Sequence, residues 1–164
     1  MSNRVSELAG NLEREGQKTL EFWRSIQPEQ WGIEVYPDGP AWKVHNLLAH
    51  FTEVEGSISS LISKVIQGHP GVAEDFDIDR WNAQHTAELS VHDPEYLVEQ
   101  FATRRAATVE MVRGMQPEDL EKRGRHPALG LTEVKHMLKL MYIHLQGHQR
   151  DIKRAINRRT QASE

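Results

Sequence analysis

Apolar residues recur along this chain at three- and four-residue steps, the period that gives a helix one buried face. Four stretches carry it. In the first, from about Ser2 to Ile26, Val5, Leu8, Leu12, Thr19, Phe22, Trp23 and Ile26 share a side, and Pro28 sets the stop. The second is predicted to open at Asp38-Gly39-Pro40, where proline suits a first helical turn, and to run to about Gln67 with Val44, Leu47, Leu48, Phe51, Val54, Ile58, Leu61 and Val65 inward. Gly68-His69-Pro70-Gly71 ends it. The third takes Asp93 as its N-cap and Pro94 at its first position, then shows Leu97, Phe101, Thr108, Met111 and Val112 before Gly114. The fourth follows Thr132 as a cap and carries Val134, Leu138, Met141, Leu145, Ile152 and Ile156. No stretch shows the sustained alternation or β-branched enrichment that strands need.

Four helices of about 20 to 28 residues, each with a single apolar stripe, predict an all-α four-helix bundle. The connection between the second and third, about residues 68 to 92, is too long for a minimal up-and-down bundle. Its aromatics, Phe76 and Trp81, predict an ordered crossover with a short helix from about Arg80 to Leu89. At 164 residues the chain fits a single domain, 1–164, with a core that needs no covalent staples and a flexible tail from about residue 158. Phe22, Trp23 and Trp31, if exposed beside a polar surface, suggest a two-fold symmetric dimer.

Composition narrows the chemistry. With no cysteine, disulfides, thiolate zinc sites, iron–sulfur clusters and cysteine nucleophiles are excluded, and any metal must be held by nitrogen and oxygen. The formal charge of -4, with both signs interleaved, gives no reason to expect nucleic acid or an anionic membrane as partner. The basic run Arg150, Lys153, Arg154, Arg158, Arg159 reads as cations complementing a helix carboxyl end. Apolar runs fall far short of the roughly 20 residues that cross a bilayer, and MSNRVSELAG lacks a signal-peptide core, so a cytoplasmic location is the default expectation.

Three of the nine histidines fall where the stripes are apolar. His144 and His148 form an H-x-x-x-H pair on the fourth helix, which places both rings on one face beside Met141 and Leu145. His50 lies three residues after Leu47 and four before Val54 on the second. Buried imidazoles without partners cost about 1–3 kcal/mol each, whereas one divalent ion satisfies all three and keeps coordination open for water or substrate. The competing reading is three separately satisfied core histidines, since an H-x-x-x-H pair arises by chance in a histidine-rich chain. Glu53, three residues after His50, is either a carboxylate that supports a ligand or acts as general base, or a solvated side chain. His45, His69, His85, His92 and His126 lie on polar faces or in loops and are expected to be exposed. Glu133-x-x-His136 has no second copy, which removes a carboxylate di-iron site; the zincin motif, phosphate loop and G-x-S-x-G elbow are absent.

Trp42-Lys43-Val44-His45-Asn46-Leu47-Leu48-Ala49-His50 and Ile143-His144-Leu145-Gln146-Gly147-His148 resemble segments of the DinB/YfiT-like superfamily of metal-dependent proteins, in its DinB-like branch. Phe76-Asp77-Ile78-Asp79-Arg80-Trp81-Asn82 and Gly124-Arg125-His126-Pro127-Ala128-Leu129-Gly130 are similar to stretches of that branch, and the resemblance spans about residues 2 to 158. It implies an up-down-down-up four-helix bundle, often a homodimer, with one divalent metal, nickel or zinc, on three histidines matching His50, His144 and His148. It also implies a small-molecule substrate, in some members a low-molecular-weight thiol. The function expected is therefore a metal-dependent enzyme, hydrolase or thiol transferase. The alternative is a non-catalytic bundle, metal-bearing or not, whose role is a stress-related interaction or ligand sequestration.

Overall fold

The computed structural model describes residues 3–164. Four long helices, α1 (Asn3–Arg24), α2 (Val44–Ile66), α4 (Pro94–Arg113) and α5 (Val134–Ala162), form the bundle, and α3 (Ile78–Leu89) lies in the crossover between α2 and α4. A hairpin of β1 (Arg123–His126) and β2 (Gly130–Glu133) precedes α5. Cross-helix bonds give the directions. Thr52 to the Leu97 carbonyl, Glu55 to Arg105 and Ser59 to Met111 climb α2 and α4 together, so these neighbours are parallel. Gln146 to Glu15 and Gln149 to Thr19 make α1 and α5 parallel as well, which is the up-down-down-up order. A parallel pair needs a return as long as the helix itself, and that is the work of the α3 crossover.

Apolar stripes meet in two clusters. One gathers Trp23, Leu47, Leu48, Phe51, Leu97, Phe101 and Ile152; the other gathers Leu12, Ile62, Val112, Leu120, Met137 and Leu138. Between them Arg105 is buried against Glu55, with Nε at 2.6 Å from Oε1, and donates to the carbonyls of Leu12 and Met141. Gly16 makes room for it, since a Cβ there would stand 2.8 Å from Arg105 Cγ.

Several boundaries differ from the sequence expectation. The expected first residue of the first helix, Ser2, lies outside the described residues. Pro40 does not open α2: Gly39 and Ala41 on either side both take positive φ, and the helix starts at Val44. There its first free N–H groups, those of Val44 and His45, donate to the carbonyls of Ile33 and Trp31 in the preceding loop. Thr132 is not the cap of α5, because it pairs with Gly124 in the hairpin; Glu133 holds that position. Asp93 caps α4 as expected, accepting from the Tyr96 N–H at 2.8 Å. The tail expected to loosen from about residue 158 continues as helix to Ala162. Trp23, one of the three aromatics invoked for a dimer, is 1% exposed, stacked on Trp31 and edge-on to Phe51, while Phe22 and Trp31 are half-buried against the same cluster. Among the described residues no helix is long and apolar enough to cross a membrane.

Candidate metal centre

Because α2 and α5 run antiparallel across the bundle, His50 on one meets His144 and His148 on the other. The His50 ring lies 5.4 Å from each of the other two, centroid to centroid, and nearly perpendicular to both. One ring nitrogen from each residue falls within 4.8 Å of the others. His50 is 2% exposed, its Nδ1 has no hydrogen-bond partner, and Trp42 covers its ring at 4.8 Å.

The protonation pattern follows from the partners. Tyr36 donates its hydroxyl proton to Asp151, so the contact of 2.9 Å between that oxygen and His148 Nδ1 has the imidazole donating. His148 Nε2 then carries a lone pair, and it lies 2.8 Å from His144 Nε2, which supplies the proton between them. Burial pushes the His50 imidazole well below its usual value, with the two other histidines adding to the shift. Burial also lowers His144, and it takes His148 down to about 4 against the opposing pull of Asp151. All three are neutral at pH 7, the form in which imidazole ligates. Neutral rings, an orphaned buried nitrogen and converging donors fit a divalent ion, whose tetrahedral nitrogen ligands stand about 3.4 Å apart at 2.0–2.1 Å bond lengths.

The cluster opens into a cavity of about 460 Å³ between α2, the crossover, the hairpin and α5. His50, Glu53 and His144 stand in its wall, with Val54, Ile58, Phe76, Trp81, Met137 and Met141 supplying apolar surface. Glu53 is not a solvated side chain: it is 8% exposed, its Oε1 accepts from Trp81 Nε1–H at 3.1 Å, and its Oε2 is buried without a partner. The expectation that His126 is exposed is wrong. It is 5% exposed in the same cavity wall, and burial, reinforced by His144, pushes it down to about 4. The others vary: His69 is exposed, whereas His45, His85 and His92 are half-buried, His45 donating to the His92 carbonyl and His85 lying under Trp81 at 3.9 Å. Tyr36 and Asp151 escape sequence reasoning too. Asp151 had a signal, its i+3 step from His148; Tyr36, in an irregular loop, had none.

The sequence profile of the DinB superfamily matches residues 11–152. The chain belongs to the DinB superfamily. No curated protein matches it significantly. Among solved structures, this DinB chain is similar to YfiT from Bacillus subtilis, described as a probable metal-dependent hydrolase with an unusual four-helix bundle topology, with a TM-score of 0.78, 13% identity, 98% of this chain and 90% of that one covered. It is also similar to a mycothiol-dependent maleylpyruvate isomerase, with a TM-score of 0.71 and 13% identity over 90% of this chain. It spans only 60% of the isomerase. At such identities the likeness shows the fold.

Proposed function

We propose that this DinB protein is a metal-dependent enzyme that acts on a small molecule held in the cavity beside His50, His144 and His148. The observation that carries the reading is the convergence of three neutral imidazoles within 4.8 Å, two of them, His50 and His144, in the wall of a largely apolar cavity of about 460 Å³. A divalent ion there, nickel or zinc, supplies Lewis acidity, which lowers the pKa of a water or thiol entering its coordination sphere. The chain's own groups do the rest. Tyr36 and Asp151 hold His148 in the tautomer that presents Nε2. Glu53, with a buried and unpartnered oxygen, is the group to take a proton from the attacking nucleophile. Val54, Ile58, Phe76 and Trp81 supply the apolar surface against which the substrate packs.

Hydrolysis is the first reaction class, because a buried carboxylate beside a three-histidine set suits activation of water. Thiol transfer is the second, supported by the isomerase of the same fold that depends on mycothiol. Two-fold assembly enters this reading through the family resemblance alone. A turnover screen of nickel- and zinc-loaded protein with ester, amide and thiol-conjugation substrates, run beside His148→Ala, tests it. Metal-dependent turnover lost in the variant is the expected result; equal rates in both proteins would overturn it.

A further inference from the structure

The cavity wall contains a buried imidazole that ligation leaves unused. His126 ends β1, and its Nδ1 accepts two backbone N–H groups, from Ala128 at 3.0 Å and Leu129 at 3.2 Å. A ring nitrogen that accepts carries no proton, so the neutral ring holds its proton on Nε2. The hairpin builds this tautomer. Pro127 presets the first turn position, Ala128 and Leu129 follow with their N–H groups turned back onto the ring, and Gly130 closes the loop at φ 70° opposite His126. Protonating Nδ1 would set a cation against both backbone donors. Among the described residues nothing accepts a hydrogen bond from Nε2.

The same geometry excludes His126 as a fourth ligand. A ligating Nε2 must be bare, which would force the proton onto Nδ1 against two N–H donors. What is left is a fixed, neutral hydrogen-bond donor in the cavity that also contains His144 and the half-partnered carboxylate of Glu53. With apolar surface from Ile58, Met137 and Met141 beside them, these groups match a ligand with an acceptor oxygen on an apolar frame.

We propose that His126 donates its Nε2–H to the oxygen of a carbonyl or carboxylate group on the substrate and stabilises negative charge that develops there. The substrate class is thereby an acyl or carboxylate compound rather than one with a purely cationic or apolar reacting end. This rests on the reading of the cavity as the substrate site. A donor fixed before binding needs no reorganisation when charge develops, and loss of one such donor lowers turnover about 10²- to 10³-fold.

The test uses zinc-loaded, ¹⁵N-histidine-labelled protein, with acetohydroxamate as a carbonyl-bearing probe. Long-range proton–nitrogen correlation spectra at pH 7.5 should show His126 as the Nε2–H tautomer with and without zinc, and its Nε2 resonance should move when acetohydroxamate is added. By calorimetry, His126→Phe should bind zinc as the unaltered protein does and bind acetohydroxamate about ten- to a hundredfold more weakly. An Nδ1–H tautomer, loss of the Nε2 proton on adding zinc, or a resonance indifferent to the probe would overturn the proposal. So would equal acetohydroxamate affinity in His126→Phe, and if that variant does not fold, the spectra of the unaltered protein decide. Zinc binding that survives His148→Ala would instead overturn the metal reading, so the two failures are distinguishable.

Discussion

The Tyr36 hydroxyl donates to Asp151 and so accepts from His148 Nδ1–H, which leaves the other nitrogen of that ring as a lone pair aimed at His144. Groups that fix a ligand's tautomer in this way are worth about 10- to 100-fold in metal affinity. Tyr36→Phe should therefore weaken zinc binding by about that factor in calorimetry while the fold, read by circular dichroism, is kept. The depressed imidazoles make a second residue-level prediction. His50, His126, His144 and His148 all fall below their usual value of 6.5 in the folded protein, His126 and His148 to about 4. The unfolded chain thus takes up protons first as the pH drops. Their contribution to stability is present above about pH 6.5 and is lost as pH falls toward 4. Urea unfolding of metal-free protein should show a lower midpoint at pH 5 than at pH 7.5; equal midpoints would mean that these rings are not buried neutral.

The elements differ in how plainly the chain announces them. Four helices were legible because each carries a long apolar stripe, and Asp93-Pro94 marks the start of α4 with a cap and a preset φ. The start of α2 was not, because it depends on where the loop carbonyls of Trp31 and Ile33 sit. The hairpin was hidden for a similar reason. Four-residue strands reading Arg-Gly-Arg-His and Gly-Leu-Thr-Glu have no alternation to detect. They are held by tertiary contacts: Gly124 lies where a Cβ would stand 2.4 Å from Val65, and Arg125 exchanges backbone bonds with Pro70 and Val72. Since the hairpin carries His126 into the cavity, missing one meant missing the other. His50, His144 and His148, by contrast, lie within stripes whose direction the pattern fixes. Across helices the buried Arg105–Glu55 pair ties α4 to α2, and removing one partner strands a charge whose burial costs about 3–5 kcal/mol. Burial already pushes Glu55 up, with Arg105 opposing the shift. Arg105→Ala should lose about that much stability in urea titration, whereas an effect under about 1 kcal/mol would contradict the reading.

For the whole molecule, the up-down-down-up order places the three clustered histidines on only two helices: α2 and α5 face each other antiparallel, and the α3 crossover and hairpin close the cavity beside them. An ion bound only by the folded chain adds about 2.7 kcal/mol of stability at a hundredfold excess over its Kd, so metal-loaded protein should melt several degrees above metal-free protein. That increment ties site to fold. The most direct measurement of the central claim is calorimetric titration of nickel and zinc into metal-free protein at pH 7.5, with elemental analysis of the product, for the unaltered chain and for His50→Ala, His144→Ala and His148→Ala. A single ion per chain, with binding and its thermal increment lost in each variant while the bundle stays folded, is the predicted result. Undiminished binding in the His50→Ala and His148→Ala proteins would place the ion elsewhere and contradict the account.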